Sequence, residues 1–282
     1  MKINIISDVH HEINHDFMRT TKFAPADILV LAGDIFSAAE LNPFQNHYSA
    51  VQVQDAVKRY KQDVFPNFKK VFMVMGNHEY YNTVWKECPK LIREAFSDVP
   101  NFKLLENDYE IVDGICFVGA TFWTNFDNNN PTSKLIVEDM LNDYRYTYLE
   151  RYEDMDYLAR HSNKPRRITA DFIYEKHIES LNYIMQLVDI IKNPIVVITH
   201  HPPTLNALNR KHSGNGLDAG FASNYDDLIK SKPNIKAWIS GHTHMSHDFM
   251  IGETRMISNQ CGYFSEKCFP GFKADKVIEV EV

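Results

Sequence analysis

Apolar residues along the chain gather in short unbroken runs: INIIS (3–7), ILVLAG (28–33), KVFMVMG (70–76), ICFVGAT (115–121), PIVVITH (194–200) and KAWISG (236–241). Runs of this length, bounded by turn residues, suit strands buried on both faces of a layered α/β protein. Between them, 50–65 and 83–97 carry amphipathic helical spacing. The longest helical pattern is 169–192, with Thr169 placed as its N-cap and Asp171 in its first turn. The tail, 247–282, returns to strand character in HDFMIG, TRMISN and KVIEVEV, with Gly252 at the first turn.

Residues 124–168 break this rhythm. They open with the loop signal TNFDNNNP, and Tyr144, Tyr148 and Tyr152 then recur at i,i+4 spacing. The tyrosines predict a helix packed onto the body; the alternative is a cap over a site, ending in the basic SNKPRR (162–167). No repeat or Gly/Ser linker interrupts the chain, so we expect one domain over 1–282 with an insertion at about 124–168.

Composition narrows the function classes. The net charge of −7, from 30 basic against 37 acidic residues, disfavours nonspecific nucleic-acid binding. No apolar run reaches the roughly 18 residues of a membrane span, and the first residues are too short of apolar character for a signal peptide. The four cysteines (88, 116, 261, 268) have no CxxC spacing. Cys116 reads as a buried thiol, and Cys261 and Cys268 as reduced rather than paired, which fits a cytoplasmic protein. Thirteen histidines remain to be explained.

The ends of five apolar runs supply the explanation. INIIS leads to Asp8-Val9-His10, ILVLAG to Asp34, VFMVMG to Asn77-His78-Glu79, IVVIT to His200-His201, and AWISG to His242-Thr243-His244. Sites in open α/β sheets form at the carboxyl ends of strands, so these side chains should converge. Oxygen and imidazole donors without cysteine suit Mn²⁺, Fe, Zn²⁺ or Co²⁺. Seven donors exceed the needs of one ion with an open position; they suit two ions sharing a carboxylate, about 3.5–4 Å apart. Gly33, Gly76 and Gly241, just before three of the sets, permit tight turns where backbone approaches the ions.

In order and spacing, DVH (8–10), GD (33–34), GNHE (76–79), THH (199–201) and GHTH (241–244) resemble the motifs of the calcineurin-like metallophosphoesterases. The resemblance spans residues 8 to 244 and implies an α/β fold of two packed mixed β-sheets flanked by helices. It implies that Asp8, His10 and His244 hold a first metal, Asp34 bridges, and Asn77, His200 and His242 complete the second. His78 then stands beside the metals as proton donor or transition-state stabiliser. The expected reaction is phosphate-ester hydrolysis by in-line attack of a water deprotonated between two ions, with His78 protonating the leaving alkoxide.

The chain departs from the family's GDxxD at Ser37, which removes a partner of the inner groups but no metal donor. Glu79 is expected to orient the metal-binding groups. His201 is left as a group facing substrate or supporting the metals. Asp143 and Arg145 are either a phosphate-contacting pair or a surface ion pair on a helix. His11, His15, His47, His161, His177 and His212 read as surface or helix residues, and His247 follows the GHTH loop. Expected substrates are phosphorylated small molecules or phosphoproteins. The same ligands would also serve a cyclic-nucleotide phosphodiesterase or a nuclease. A non-catalytic metal-binding scaffold should have lost a ligand or His78, and none is missing.

Overall fold

The protein is described by a computed structural model for all residues except 43, 45, 46, 151–165, 209–213, 215, 264–270 and 282, and for 19 and 20 by backbone alone. The strands are β1 Lys2–Ile6, β2 Ile28–Ala32, β3 Lys70–Val74, β4 Phe102–Leu104, β5 Asp108–Val112, β6 Ile115–Ala120, β7 Ile195–Thr199, β8 Ile235–Ser240, β9 Asp248–Ile251, β10 Thr254–Ser258 and β11 Val277–Glu279. They form two sheets, in the orders β11-β1-β2-β3-β4 and β5-β6-β7-β8-β10-β9. The two sheets are mixed. β1 to β4 run parallel with β11 antiparallel at one edge; β6, β7, β8 and β10 run parallel between antiparallel β5 and β9.

Two-sided burial explains the unbroken apolar runs. Ile3, Ile5, Val30, Phe72 and Val74 face Phe117, Val196, Ile198 and Ile239 between the sheets. The Phe72 and Phe117 rings stack at 4.8 Å. Their neighbours in sequence, such as Leu29, Leu31, Val71 and Met73, face an outer helical layer. On the far side of the second sheet, Val118, Val197 and Trp238 pack against Ile184 and Val188. Each such side chain stabilises the fold by roughly 1.5–3 kcal/mol, so the strands, and the ends they carry, are rigidly held.

The helices are α1 Phe17–Thr20, α2 Tyr48–Arg59, α3 Cys88–Ala95, α4 Phe126–Asn129, α5 Pro131–Met140, α6 Asp143–Tyr146, α7 Ala170–Ile190, α8 Asp218–Phe221 and α9 Asp226–Lys230. α7 begins as its sequence predicts: Thr169 Oγ1 accepts from Phe172 N at 3.2 Å, and Asp171 stands in the first turn. The amphipathic stretch 50–65 is helical, passing from α2 into one wider turn over Tyr60–Val64.

Two expectations change. The helix expected over 83–97 is shortened to α3, because Asn82 N and Trp85 N donate instead to Tyr146 O and Tyr148 O, both at 2.7 Å. The tyrosine repeat is not one helix: Tyr144 is buried on α6, whereas Tyr148 is extended and bridges Val84 and Arg167. Tyr152 lies outside the described residues, as does most of SNKPRR. Among the described residues, no helix is long and apolar enough to cross a membrane.

Candidate metal centre

The loops leaving β1, β2, β3, β7 and β8 meet at one end of the sandwich. Asp8, His10, Asp34, His242 and His244 take left-handed backbone conformations, with φ of 56°, 51°, 53°, 73° and 49°. For such residues the conformation costs roughly 1–3 kcal/mol and clusters at functional sites. Backbone bonds hold it in place: Asp8 N to Gly33 O at 3.0 Å, His10 N to Asp34 O at 2.9 Å, and Gly241 N to His200 O at 2.9 Å.

Buried Glu79 ties two of these loops together. Its carboxylate accepts from Asp34 N (2.9 Å), Ile35 N (2.7 Å), Phe36 N (3.3 Å) and Gly76 N (2.6 Å). Burial and the nearby Asp34 charge push Glu79 up to about 7, against these N–H groups, which favour the ionised form. Gly33 turns the chain with φ of 87°, as expected, and all three glycines also make room for side chains. A Cβ on Gly33 would lie 2.4 Å from His200 Nδ1, one on Gly76 2.1 Å from Asp34 Oδ1, and one on Gly241 2.7 Å from Asp8 Oδ2.

All seven residues expected as metal donors come together. His10 Nε2 lies 3.1 Å from His244 Nε2, and His200 Nε2 lies 3.1 Å from Asn77 Oδ1. Asp34 Oδ2 stands between the two groups, 3.7 Å from His10 Nε2 and 3.3 Å from His200 Nε2. Asp8 Oδ1 is 3.6 Å from His244 Nε2. Three sets have donor atoms close enough to hold an ion: Asp8, His10 and His244; His10, Asp34 and His78; Asp34, His200 and His242.

Hydrogen bonding decides what these short separations mean. His200 Nδ1 must donate to the Ala32 carbonyl at 2.9 Å, which leaves Nε2 with a lone pair facing the Asn77 oxygen. His10 Nδ1 donates to Glu12, which turns its Nε2 lone pair toward His244. Such pairs need a cation between them, either a proton or a metal ion. Two nitrogens bound at 2.0–2.1 Å to one ion sit roughly 3.0–3.4 Å apart. The separations of 3.1 Å fall in that window, so the residues fit the metals that the donor set suggests.

His78 is built differently. Its Nδ1 lies 3.0 Å from Glu12 Oε1 and its Nε2 3.1 Å from the Tyr263 hydroxyl, so both nitrogens have partners other than an ion. Its ring stacks on Tyr81 at 4.3 Å, and its backbone N–H donates to Asp34 Oδ1 at 2.9 Å. Burial alone would lower its pKa, but the Asp34 and Glu12 carboxylates outweigh burial and raise it to about 9. Burial would raise Glu12, yet the His10 and His78 hydrogen bonds prevail and bring it down to about 2. Burial holds His201 and His242 well below the usual histidine range, hence neutral.

The other singled-out residues take definite places. His201 is fully buried, stacked on Trp123 at 4.9 Å with the His242 ring tilted against it at 4.0 Å. Arg145 is exposed and donates to Asp139 O at 2.7 Å. The surface ion pair expected between Asp143 and Arg145 gives way to an inward-facing Asp143, which accepts from Asn77 Nδ2 (2.9 Å) and the Tyr81 hydroxyl (2.6 Å). Ser37 donates to Tyr81 O at 3.0 Å.

Of the histidines read as surface or helix residues, His11 is buried outside any helix, and His177 lies on a helix as read but is also buried. His11 Nε2 meets the Tyr60 hydroxyl at 3.1 Å, and His177 lies on the covered face of α7. His15 is half-buried against Tyr48, His47 is exposed, and His161, His212 and Cys268 lie outside the described residues. His247 is buried beside Ser258 Oγ at 3.0 Å. Sequence reasoning missed Glu12, Tyr81 and Tyr263. Only Glu12 had a local signal, as a carboxylate just past the paired histidines of DVHHE.

Comparison with known proteins agrees with this geometry. An uncharacterized protein of Acanthamoeba polyphaga mimivirus is 30% identical over 257 residues, covering 86% of this chain and 81% of its own. The crystal structure of phosphopantetheinyl hydrolase from Mycobacterium tuberculosis superposes with a TM-score of 0.69 at 14% identity, over 98% of this chain and 95% of that one. That likeness shows a shared fold. Residues 1–246 match the calcineurin-like phosphoesterase family. With this match over most of its length, the chain belongs to the calcineurin-like phosphoesterases and is a metal-dependent phosphoester hydrolase.

Proposed function

We propose that the chain hydrolyses phosphate esters at a centre of two divalent or transition-metal ions, with His78 giving the leaving group its proton. The carrying observation is the pair of 3.1 Å separations, His10 to His244 and His200 to Asn77, flanking a shared Asp34. In this reading Asp8, His10 and His244 hold one ion, Asn77, His200 and His242 the other, and Asp34 both. Bound there, the ions supply charge neutralisation for the phosphate and a nucleophile drawn from water.

The chain's own residues do the rest. The Ala32 carbonyl fixes the His200 tautomer, and Asp143 turns the Asn77 oxygen toward His200. A neutral amide in place of a carboxylate keeps the centre more positive, which favours an anionic substrate. His78 holds its transferable proton at Nε2 and passes it to the departing oxygen as the P–O bond breaks, which prevents a high-energy alkoxide. The substrates in view are phosphorylated small molecules and phosphoproteins. The fold neighbour described as a phosphopantetheinyl hydrolase adds phosphopantetheinyl esters to the compounds worth testing.

The test is turnover by protein reconstituted separately with Mn²⁺, Fe²⁺, Zn²⁺ and Co²⁺. The substrates are p-nitrophenyl phosphate, bis-p-nitrophenyl phosphate and a phosphopantetheinyl ester. His78→Ala should keep two ions per chain and lose about 10²–10⁴-fold in turnover. Full activity in that variant sinks the role of His78. Faster hydrolysis of the bis ester would make the enzyme a phosphodiesterase on the same site.

A further inference from the structure

Two glutamates, buried Glu79 and partly buried Glu12, flank the centre and make opposite kinds of contact. Glu79 spends its carboxylate on backbone N–H groups and so holds loops together. Glu12 touches no backbone donor among the described residues. Its Oε1 meets only two imidazoles, His78 Nδ1 at 3.0 Å and His10 Nδ1 at 3.3 Å, and its Oε2 has no partner there. A carboxylate with this contact list ties no loop backbone together and acts on the two rings.

We propose that Glu12 is the positioning residue of this centre: one carboxylate oxygen orients the proton donor His78 and the metal-side imidazole His10 together. The inference rests on the proposed reaction for its kinetic side and on geometry for the rest. A carboxylate at Nδ1 fixes the imidazole tautomer, so that each ring presents Nε2 to the centre. For His10 that is the lone pair facing His244. For His78 it is the nitrogen now against the Tyr263 hydroxyl, which a leaving-group oxygen would replace. The two rings themselves meet edge-on at 4.3 Å, so a shift of one disturbs the other. In the proton transfer, the Nε2–H bond breaks as the leaving oxygen–H bond forms. The His78 Nδ1–H stays bonded to Glu12 and the negative carboxylate stabilises the imidazolium before transfer, so no further reactant is needed.

Glu12→Gln keeps the shape and removes the charge. The kinetic test compares metal-saturated wild type, Glu12→Gln, His78→Ala and the double variant on aryl and alkyl phosphates of graded leaving-group acidity. At saturating metal we expect an unchanged metal content and KM, while the looser His10 should raise the metal concentration needed for half-maximal activity. Loss of kcat should be a few-fold on a dinitrophenyl ester and about 10²-fold on an alkyl ester. The double variant should be no slower than His78→Ala alone, as for groups acting as one unit. Equal loss across all leaving groups, or losses that multiply in the double variant, overturns the proposal.

A second measurement does not depend on turnover. In ¹⁵N-histidine spectra of the metal-free protein, His78 and His10 should both carry a proton at Nδ1, and both signals should move in Glu12→Gln. Unchanged spectra overturn the positioning role. A wild type with the expected spectra but no hydrolysis of any ester would instead overturn the proposed function and leave the positioning of the rings established.

Discussion

Asp143 Oδ1 accepts the Asn77 side-chain N–H at 2.9 Å, across 66 residues of sequence, and the Asn77 oxygen thereby faces His200 Nε2 at 3.1 Å. An amide presents oxygen or nitrogen with nearly the same shape, so something must choose its orientation. The acceptor on α6 makes the choice. The segment after β6 therefore reaches the centre through a hydrogen bond and not through the exposed Arg145.

Asp143→Ala should weaken the second ion without unfolding the chain. Its loss frees the Asn77 amide to turn, and partners of this kind cost about 10–100-fold in metal affinity or activity. Titrating activity against Mn²⁺ checks this: the variant should need more metal and regain most of its turnover at saturation. A titration curve superimposable on wild type would remove Asp143 from the site's support.

Gly76→Ala should cost the centre at least one ion. The added Cβ would lie 2.1 Å from Asp34 Oδ1 and 2.6 Å from Asp34 N, so a side-chain rotation alone relieves only part of the clash. Elemental analysis should find fewer than two ions per chain while far-ultraviolet circular dichroism keeps the wild-type shape. Two ions and normal turnover would show that the loop yields easily.

These two positions show what the sequence could and could not disclose. Each donor expected from a strand end reaches the centre, because an apolar run buried on both sides must stop where a charged side chain begins. The supporting contacts are far apart in sequence and leave no local pattern: His78 meets Tyr263 across 185 residues and Asn77 meets Asp143 across 66. The helix expected over 83–97 lost its first turn to carbonyls at Tyr146 and Tyr148, a tertiary bond that overrides helical spacing. His11 reads as a surface or helix residue because its polarity is visible and its buried partner, Tyr60, is not; His177 is on a helix as read, but the Phe122 and Tyr225 partners that bury it leave no local sign.

Glu79→Gln should destabilise the metal-free protein by roughly 2–4 kcal/mol, since an amide NH₂ would point at N–H groups that the carboxylate now accepts. Urea unfolding of metal-free wild type and variant measures it. A change under about 1 kcal/mol, the range of ordinary surface substitutions, would mean that the loops are held by other contacts.

His177 gives the fold a defined acid sensitivity. Its Nδ1–H donates to Phe122 O at 2.7 Å and its Nε2 accepts from the Tyr225 hydroxyl at 2.7 Å, a pattern only the neutral ring satisfies. Burial brings its pKa from 6.5 down to about 4, with the Phe122 and Trp123 backbone opposing. Between those values the unfolded chain binds a proton that the folded chain refuses, so stability falls as pH drops from 6.5 toward 4. At about 1.4 kcal/mol per pH unit the loss is roughly 2–3 kcal/mol by about pH 4.5, and nothing changes above the upper value. His177→Gln cannot titrate, so although it is less stable at neutral pH, its deficit against wild type should shrink by that amount on acidification. Urea unfolding of both metal-free proteins at pH near 7.5 and near 4.5 reads the difference. A deficit that stays constant between the two would mean that the ring takes up its proton in the folded state as readily as in the unfolded chain.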